Sequence, residues 1–399
     1  MKRFHRISIA LVIVLVLVAA LALSGCEVYA ASTGSSTADK TSTVLPNNQS
    51  GTTTETTRTD TTQSTVDQGK TIVTYVTTSS TVYSSTAEVV NAVADTVVEI
   101  STETVIFYGR NKYIQSGAGS GVIVGVSEAG SYYVITNNHV IAGASEITVR
   151  TRVGKDYSAR LVATDDSADI AVVAIDTTDE LHVARMGNSD DLQIGEDLIA
   201  IGNPLGSLGG TVTKGILSAT GRTIQIDNYY MTLLQTDTAI NPGNSGGGLF
   251  NMKGDLIGVV NAKTADEEIE GICFAIPINI ARSVYQDLIE HGYIVGRATL
   301  NLEVSEGVIS YGYSTSSTLV YVTAVGDTAD SNFMLYDRIY KINGEEITSL
   351  LDYNTALMQI AAGDSVQIEV YRGSTNRWGQ ISFAGETTTF TVTAGQYGA

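Results

Sequence analysis

A glycine-rich segment at residues 241–247 is the feature that most constrains how this chain can fold. It reads Asn-Pro-Gly-Asn-Ser-Gly-Gly, so Ser245 is the one hydroxyl in a run of residues that favour tight turns. Glycine adopts backbone conformations that other residues avoid, and it lets main-chain N–H groups come close to a ligand. The segment therefore suits a serine nucleophile whose own backbone binds a developing oxyanion.

A base for that serine is expected among the histidines. The chain has four of them: His5, His139, His182 and His291. His139 follows a strand-like run at residues 132–136 and a polar Asn-Asn turn, and a base is expected at such a rigid strand end. His5 lies in an apolar leader, His182 in a polar stretch, and His291 at the end of a helical pattern. We therefore predict that His139 is the general base and that His182 and His291 are structural.

The orienting carboxylate is expected beside a buried strand. Asp169 directly precedes Ile-Ala-Val-Val-Ala-Ile at residues 170–175, an apolar run of strand length. A carboxylate at that edge can reach the histidine from the core side. Asp165, Asp166 and Asp176 flank the same run and remain alternatives to the predicted Asp169.

Six segments of the chain resemble the HtrA (Deg) family of serine proteases, in the order that the family has. They are Gly-Ser-Gly-Val-Ile at 119–123, Thr-Asn-Asn-His-Val at 136–140, Ala-Asp-Ile-Ala-Val at 168–172, Ile-Gly-Asn-Pro-Leu-Gly at 201–206, the segment 241–247, and Phe-Ala-Ile-Pro at 274–277. The resemblance implies that His139 is the general base, Asp169 its orienter and Ser245 the nucleophile. It also implies that the backbone N–H groups of Gly243 and Ser245 form the oxyanion hole.

Short apolar runs separated by glycine-rich turns predict a mainly β fold. The resemblance implies a chymotrypsin-like double β-barrel at residues 86–292, followed by a small α+β PDZ-like domain at residues 297–397. In the second of these, a helix is predicted at residues 353–362. Two departures leave the binding of substrate C-termini open: the loop before Leu302 lacks the usual glycines, and residues 331–336 lack the usual glycine-rich approach to the next strand.

The resemblance also implies where the substrate side chain before the cut bond is held. In chymotrypsin-like folds the residue six positions before the nucleophile forms the pocket floor, and here it is Ala239. An apolar floor cannot pair with a buried Lys or Arg, whose charge is costly to desolvate. We predict cleavage after small or medium apolar residues, with Val260, Asn261 and Phe274 in the walls of the pocket.

Residues 1–25 are predicted to be an export leader, because a basic start precedes an almost uninterrupted apolar stretch at residues 7–23. Leu-Ser-Gly-Cys, ending at Cys26, resembles the bacterial lipobox, at which the leader is removed and the cysteine is lipidated. An uncleaved signal-anchor helix is the alternative. Both interpretations tether the chain to the membrane and place the rest of it outside the cytoplasm.

Residues 26–85 are dominated by serine and threonine and are predicted to be a disordered linker, since they hold too little apolar surface to offset the entropy of folding. Residues 71–83 alternate as in a strand and could instead dock on the protease domain.

Composition limits the partners. A formal net charge of −19 argues against nucleic-acid binding. Cys26 and Cys273 are the two cysteines, so a lipidated Cys26 leaves no disulfide pair, and no metal site is expected. Cys273 is predicted to be a small buried hydrophobic residue. The resemblance implies assembly as homotrimers without a cofactor.

The leading hypothesis is a serine endopeptidase that degrades or processes unfolded envelope proteins outside the cytoplasm. A membrane-tethered chaperone or peptide-binding scaffold with a latent triad is one alternative. A site-specific regulatory protease is another.

Overall fold

The computed structural model describes most of the chain after residue 81. The described residues are 62–67, 70–75, 82–108, 111–202, 210–241, 243–262, 271–311, 315–375, 381–383 and 386–398. The predicted leader at 1–25, the predicted lipidation site Cys26 and most of the predicted linker at 26–85 lie outside these residues.

Six strands form a first barrel. They are β3 (Val97–Tyr108), β4 (Asn111–Ser127), β5 (Ser131–Thr136), β6 (Glu146–Arg150), β7 (Asp156–Asp165) and β8 (Ile170–Asp176). The order β4-β3-β6-β7-β8-β5 closes because β5 also pairs with β4. Alternate side chains of β8 point to opposite faces of the sheet and pack in two different cores. Val173 and Ile175 pack in a cluster confined to this barrel, whereas Ile170 and Val172 belong to a cluster shared with the second barrel.

Two further strands, numbered β1 (Thr62–Asp67) and β2 (Lys70–Tyr75), pair with each other, and β2 adds to the first barrel beside the end of β4. The register there is Ile72↔Ser127 and Val73↔Val126. Residues 70–75, within the segment predicted as a linker, thus form a strand beside β4. The extent of the linker stays a prediction.

A second barrel holds the remaining strands of the N-terminal two thirds. They are β9 (Asp197–Gly202), β10 (Thr211–Ile226), β11 (Tyr229–Thr236), β12 (Gly248–Asn251), β13 (Leu256–Asn261) and β14 (Cys273–Pro277). The barrel is closed in the order β10-β11-β14-β13-β12-β9. Its own core includes Leu217, Leu234 and Ile257.

In the part of the chain that the structure describes, helices are few and short. They are α1 (Thr86–Val93), α2 (Asn138–Ile141), α3 (Ile278–Glu290) and α4 (Leu350–Met358), with 3₁₀ turns at Ala94–Thr96 and Ser189–Asp191. The α3 helix buries Ile278, Ala281, Tyr285 and Leu288, whose spacing forms one apolar face, against the core between the two barrels. Among the described residues, no helix is long and apolar enough to span a membrane.

A small α+β unit follows α3. Its strands are β15 (Ala298–Thr299), β16 (Leu302–Tyr311), β17 (Thr315–Val325), β18 (Arg338–Ile342), β19 (Glu345–Glu346), β20 (Ser365–Tyr371), β21 (Ser374–Thr375), β22 (Ile381–Ser382), β23 (Thr387–Thr393) and β24 (Gly395–Gln396). The main sheet has the order β16-β17-β18-β20-β23 and packs on a core that includes Val320, Ile339 and Ile368.

The α4 helix begins and ends earlier than the sequence pattern predicted. It begins at Leu350 and ends at Met358, so the helix predicted at residues 353–362 was wrong at both ends. The cause of the early start is a capping box, in which the Asp352 N–H donates to Ser349 Oγ and the Ser349 N–H donates to the Asp352 carboxylate. The predicted fold class, a mainly β double barrel followed by a small α+β domain, is confirmed.

Candidate active site

His139 and Asp169 meet at the end of the first barrel. The one-turn helix α2 follows β5 and carries His139, whereas Asp169 directly precedes β8. The distance between His139 Nδ1 and Asp169 Oδ2 is 2.7 Å, and the His139 backbone N–H donates to Asp169 Oδ1 at 2.9 Å. A carboxylate on Nδ1 favours the tautomer with the proton there, which leaves Nε2 free to accept a proton.

The main chain fixes Asp169 in place. The residue is 6% exposed and has a φ of 50°, in the left-handed region that aspartate tolerates. Its carbonyl accepts hydrogen bonds from Asn137 Nδ2 at 3.0 Å and from the Asn138 N–H at 3.2 Å. In the turn that precedes it, the Asp165 carboxylate accepts the Ala168 N–H at 3.2 Å. The acid and the base are therefore held by the same local network.

The three alternative aspartates contact other groups. Asp165 pairs with Arg297, and the Asp176 carboxylate accepts the Ser131 hydroxyl at 2.6 Å. Asp166 lies near the Asn138 amide, and its pKa is raised by burial and by the neighbouring Asp165. Among these described aspartates, Asp169 is the one whose carboxylate bonds to His139.

Asn261 donates a further hydrogen bond to the Asp169 carboxylate. Its side-chain amide, fully buried at the end of β13, donates to Asp169 Oδ2 at 3.0 Å. The sequence led us to place Asn261 in the wall of a substrate pocket, and its contact with Asp169 was missed. The available signal was a polar residue ending an otherwise apolar strand.

Ser245 lies in a turn that is tied to both barrels. Its carbonyl accepts the Ser120 N–H from β4 at 2.8 Å, and the next residue, Gly246, donates its N–H to the Val260 carbonyl at 2.9 Å. Gly246 has a φ of 82°, and a Cβ there would lie 2.2 Å from the Ser120 carbonyl oxygen. Glycine is therefore required beside the serine, and the turn is fixed from two sides.

Ser120 of β4 also fixes the loop before Ser245. The Ser120 hydroxyl donates to the Gly243 carbonyl at 2.7 Å, and Gly243 has a φ of 97°. The Asn244 N–H closes a turn onto the Asn241 carbonyl at 3.0 Å. Pro242 lies outside the described residues. The assignment of the Gly243 and Ser245 N–H groups to an oxyanion hole stays a prediction.

The residues predicted for the substrate pocket differ in their surroundings. Ala239 is exposed, and its carbonyl accepts the Thr213 hydroxyl at 2.8 Å. Val260 is fully buried in the core of the second barrel, and Phe274 is 8% exposed in the core shared by the two barrels. Their role in binding substrate stays a prediction.

The other histidines and the buried cysteine lie in separate surroundings. His182 is exposed, with Nδ1 3.6 Å from Asp95 Oδ2. The His291 N–H bonds back to the Asp287 carbonyl at 2.8 Å at the end of α3. Cys273 is buried, as predicted, and this burial raises the pKa of its thiol.

Two closed barrels, a histidine–aspartate pair and a serine in a glycine-rich turn define a serine peptidase of the trypsin-like class. Residues 119–259 match the trypsin-like peptidase domain, and residues 306–382 match the PDZ domain. The second match identifies the small α+β unit as a PDZ domain.

Similarity to known proteins assigns the chain to one family within this class. The chain is 38% identical over 276 residues to the serine protease Do-like HtrA of Bacillus subtilis (strain 168), which covers 65% of this chain and 61% of the relative. It is 35% identical over 318 residues to the serine protease Do-like HtrB of the same organism, covering 72% of this chain and 68% of the relative. A solved structure of the HtrA-type protease AlgW with a decapeptide is 31% identical, with a TM-score of 0.51, and covers 79% of this chain and 99% of that one.

The chain belongs to the HtrA family of serine proteases. It spans less than two thirds of the length of the Bacillus subtilis HtrA relative.

Proposed function

We propose that this chain is a serine endopeptidase that cuts extended or unfolded polypeptides, with His139, Asp169 and Ser245 as its catalytic triad. The observation that carries the proposal is the buried Asp169 carboxylate, which accepts hydrogen bonds from the His139 ring, the His139 N–H and the Asn261 amide. A carboxylate bound in this way orients the imidazole and stabilises its protonated form.

In the proposed mechanism, His139 Nε2 takes the proton of the Ser245 hydroxyl as its oxygen attacks the carbonyl carbon of the substrate. The Gly243 and Ser245 N–H groups stabilise the oxyanion of the tetrahedral intermediate. His139 then gives its proton to the departing amine, and an acyl group remains on Ser245. Water, activated by the same imidazole, attacks this ester and releases the second product.

The substrate preference follows from the proposed pocket floor. Ala239 offers no charge, so a Lys or Arg before the cut bond would be buried without a partner. We propose cleavage after small or medium apolar residues such as Val, Ala, Ile and Leu, in polypeptides of the envelope that have unfolded. The peptide held in the AlgW structure supports a polypeptide as the kind of ligand.

We further propose that lipidation of Cys26 anchors the protein to the outer face of the cell membrane, and that three copies assemble. Incorporation of labelled fatty acid that is lost in Cys26→Ala supports the lipid anchor, and retention of the leader in the mature protein speaks for the signal-anchor alternative. A sedimentation mass of three chains supports the trimer, and a monomer contradicts it.

Digestion of unfolded casein tests the activity. Wild type is compared with Ser245→Ala, and the new chain ends are read by mass spectrometry. We expect fragments from wild type alone, ending in Val, Ala, Ile or Leu. Fragments from both proteins contradict the proposed nucleophile, whereas slowed casein aggregation without fragments supports the scaffold alternative.

A further inference from the structure

The strands β3 and β4 continue well beyond the first barrel. They pair without interruption from Val97↔Val122 to Tyr108↔Asn111. On the outer sides, β6 pairs with β3 only as far as Glu103↔Glu146, and β5 pairs with β4 only from Val122↔Ile135 onward. Among the described residues, 104–108 and 111–117 therefore form a two-stranded ribbon that projects from the sheet, here named the β3–β4 ribbon.

One edge of this ribbon begins at the nucleophile. The Ser120 N–H donates to the Ser245 carbonyl, and the Ser120 carbonyl accepts the Thr136 hydroxyl at 2.7 Å, so both main-chain groups of Ser120 point away from β3. Alternate residues of a strand present their N–H and C=O groups to the same edge. Ala118, Ser116 and Ile114 therefore present theirs to the edge on which Ser245 lies.

This edge is open to solvent. Residues 111–118 of β4 are all exposed, whereas residues 119–125 of the same strand are buried in the barrel. An exposed strand edge is a template for another extended chain, because each added residue pair satisfies main-chain donors and acceptors.

The two barrels determine which half of a substrate reaches the edge. The proposed pocket floor, Ala239, belongs to the second barrel, so the half before the cut bond lies there. The half after the cut bond leaves toward the first barrel, where β4 is the strand that touches the Ser245 backbone.

The ribbon carries apolar side chains on both faces, with the pair Ile106↔Tyr113 on one face and a larger apolar group on the other. The pairs Val105↔Ile114 and Phe107↔Lys112 place Val105, Phe107 and Ile114 on the same face, since opposite residues and alternate residues share a face. Phe107 is 69% exposed and Ile114 is 58% exposed. Ile114 lies about 20 Å along the strand from Ser120, which corresponds to about six extended residues.

We propose that the β4 edge binds the half of the substrate that follows the cut bond, by strand addition, and that Val105, Phe107 and Ile114 select apolar residues about four to six positions after that bond. This inference rests on the proposed function. The partner is thus an extended polypeptide with a second apolar cluster, separate from the residue held in the pocket.

Three fluorogenic peptides test the inference with the full chain. All share the same residues before the cut bond. The first ends two residues after it, the second continues for eight residues with apolar side chains at positions four and six, and the third has serine at those two positions. We expect kcat/KM to be about 10-fold higher for the apolar extension than for the short peptide. A gain of this size is expected when one strand pairs with another and their side chains pack together.

The matched variants are Phe107→Ser with Ile114→Ser, and Val153→Ser as a control at another exposed apolar residue. The double variant is expected to lose the gain from the apolar extension and to cleave the short peptide as wild type does. The control is expected to cleave all three peptides as wild type does.

Equal rates on the three peptides, or an equal loss on all of them in the double variant, overturn the inference while leaving the proposed function intact. A double variant that changes the number of copies in the assembly also overturns it, because the ribbon is then an interface between copies. Failure of wild type to cut any of the peptides or casein instead contradicts the proposed function itself.

Discussion

Asp169 is surrounded by donors that come from distant parts of the sequence. His139 and Asn261 reach it from 30 residues before and 92 residues after. The Asn261 amide is fully buried and donates to the carboxylate, so it helps to fix Asp169 in place. We therefore propose a positioning role for Asn261, which kinetics can distinguish from the predicted role in the pocket wall.

Asn261→Ala is expected to lower kcat by about 10-fold, the scale of one hydrogen bond to a charged group, with little change in KM. Steady-state kinetics on a short peptide measures both constants. A raised KM with unchanged kcat, or an altered preference before the cut bond, would instead support the earlier interpretation of Asn261 as a pocket wall.

Ser245 and His139 of this candidate site were predicted from the sequence, because the signals lie in their immediate neighbours: glycines around the serine, and a strand ending in a polar turn before the histidine. Their catalytic roles stay predictions. The contact between Asn261 and Asp169 was not predictable, because it depends on how the second barrel packs on the first.

Strand β4 holds glycines at residues 117, 119 and 121. Glycine inside a strand often marks a place where another group comes close to the backbone. A Cβ at Gly117 would lie 2.6 Å from Thr102 Oγ1, and one at Gly119 would lie 2.6 Å from the Val140 side chain. These glycines allow close packing of the strand at the active site.

The capping box of α4 gives a prediction about stability. Ser349→Ala removes the acceptor for the Asp352 N–H, and we expect the PDZ domain to lose about 1 kcal/mol of unfolding free energy. Urea unfolding measures the change, and Ser349→Thr is the control that retains a capping hydroxyl. An alanine variant as stable as wild type would show that the cap contributes nothing.

The turn between β12 and β13 gives a prediction about pH. Burial raises the pKa of Asp255 above its ordinary value of 3.8, and Arg185, at 3.2 Å, only partly opposes this shift. An acid with a raised pKa binds its proton more tightly in the folded protein, so its contribution to stability falls as the pH rises from about 4 through the raised pKa.

Asp255→Asn removes this titration. The unfolding free energy of the variant relative to wild type is therefore expected to increase between pH 4 and pH 7, as urea unfolding across that range would show. A difference between the two proteins that is independent of pH, or that decreases as pH rises, would contradict the assignment.

An ion pair joins the protease domain to the segment that leads into the PDZ domain, close to Asp169. Arg297, just before β15, pairs with Asp165, which is 2% exposed and lies in the turn that leads to Asp169. Near this contact, burial and the Asp166 carboxylate raise the pKa of Tyr229 to about 12. The segment that leads into the PDZ domain thus helps to hold the turn before Asp169.

Arg297→Ala is expected to lower the unfolding free energy by about 1–3 kcal/mol, because Asp165 is left buried without its cation while Arg297 itself is partly exposed. The control is Arg160→Ala, which breaks an exposed pair with Asp176 and should cost less than about 1 kcal/mol. Equal effects of the two substitutions in urea unfolding would show that the buried pair has no special role.

Covalent labelling of the nucleophile tests the central claim most directly. Wild type, Ser245→Ala, His139→Ala and Asp169→Asn are treated with a fluorophosphonate, and the modified residue is located by mass spectrometry. The proposed triad predicts an adduct on Ser245 in wild type, none in Ser245→Ala or His139→Ala, and labelling slowed by up to about 10⁴-fold in Asp169→Asn. An adduct on another residue, or casein digestion that continues without Ser245, would contradict it.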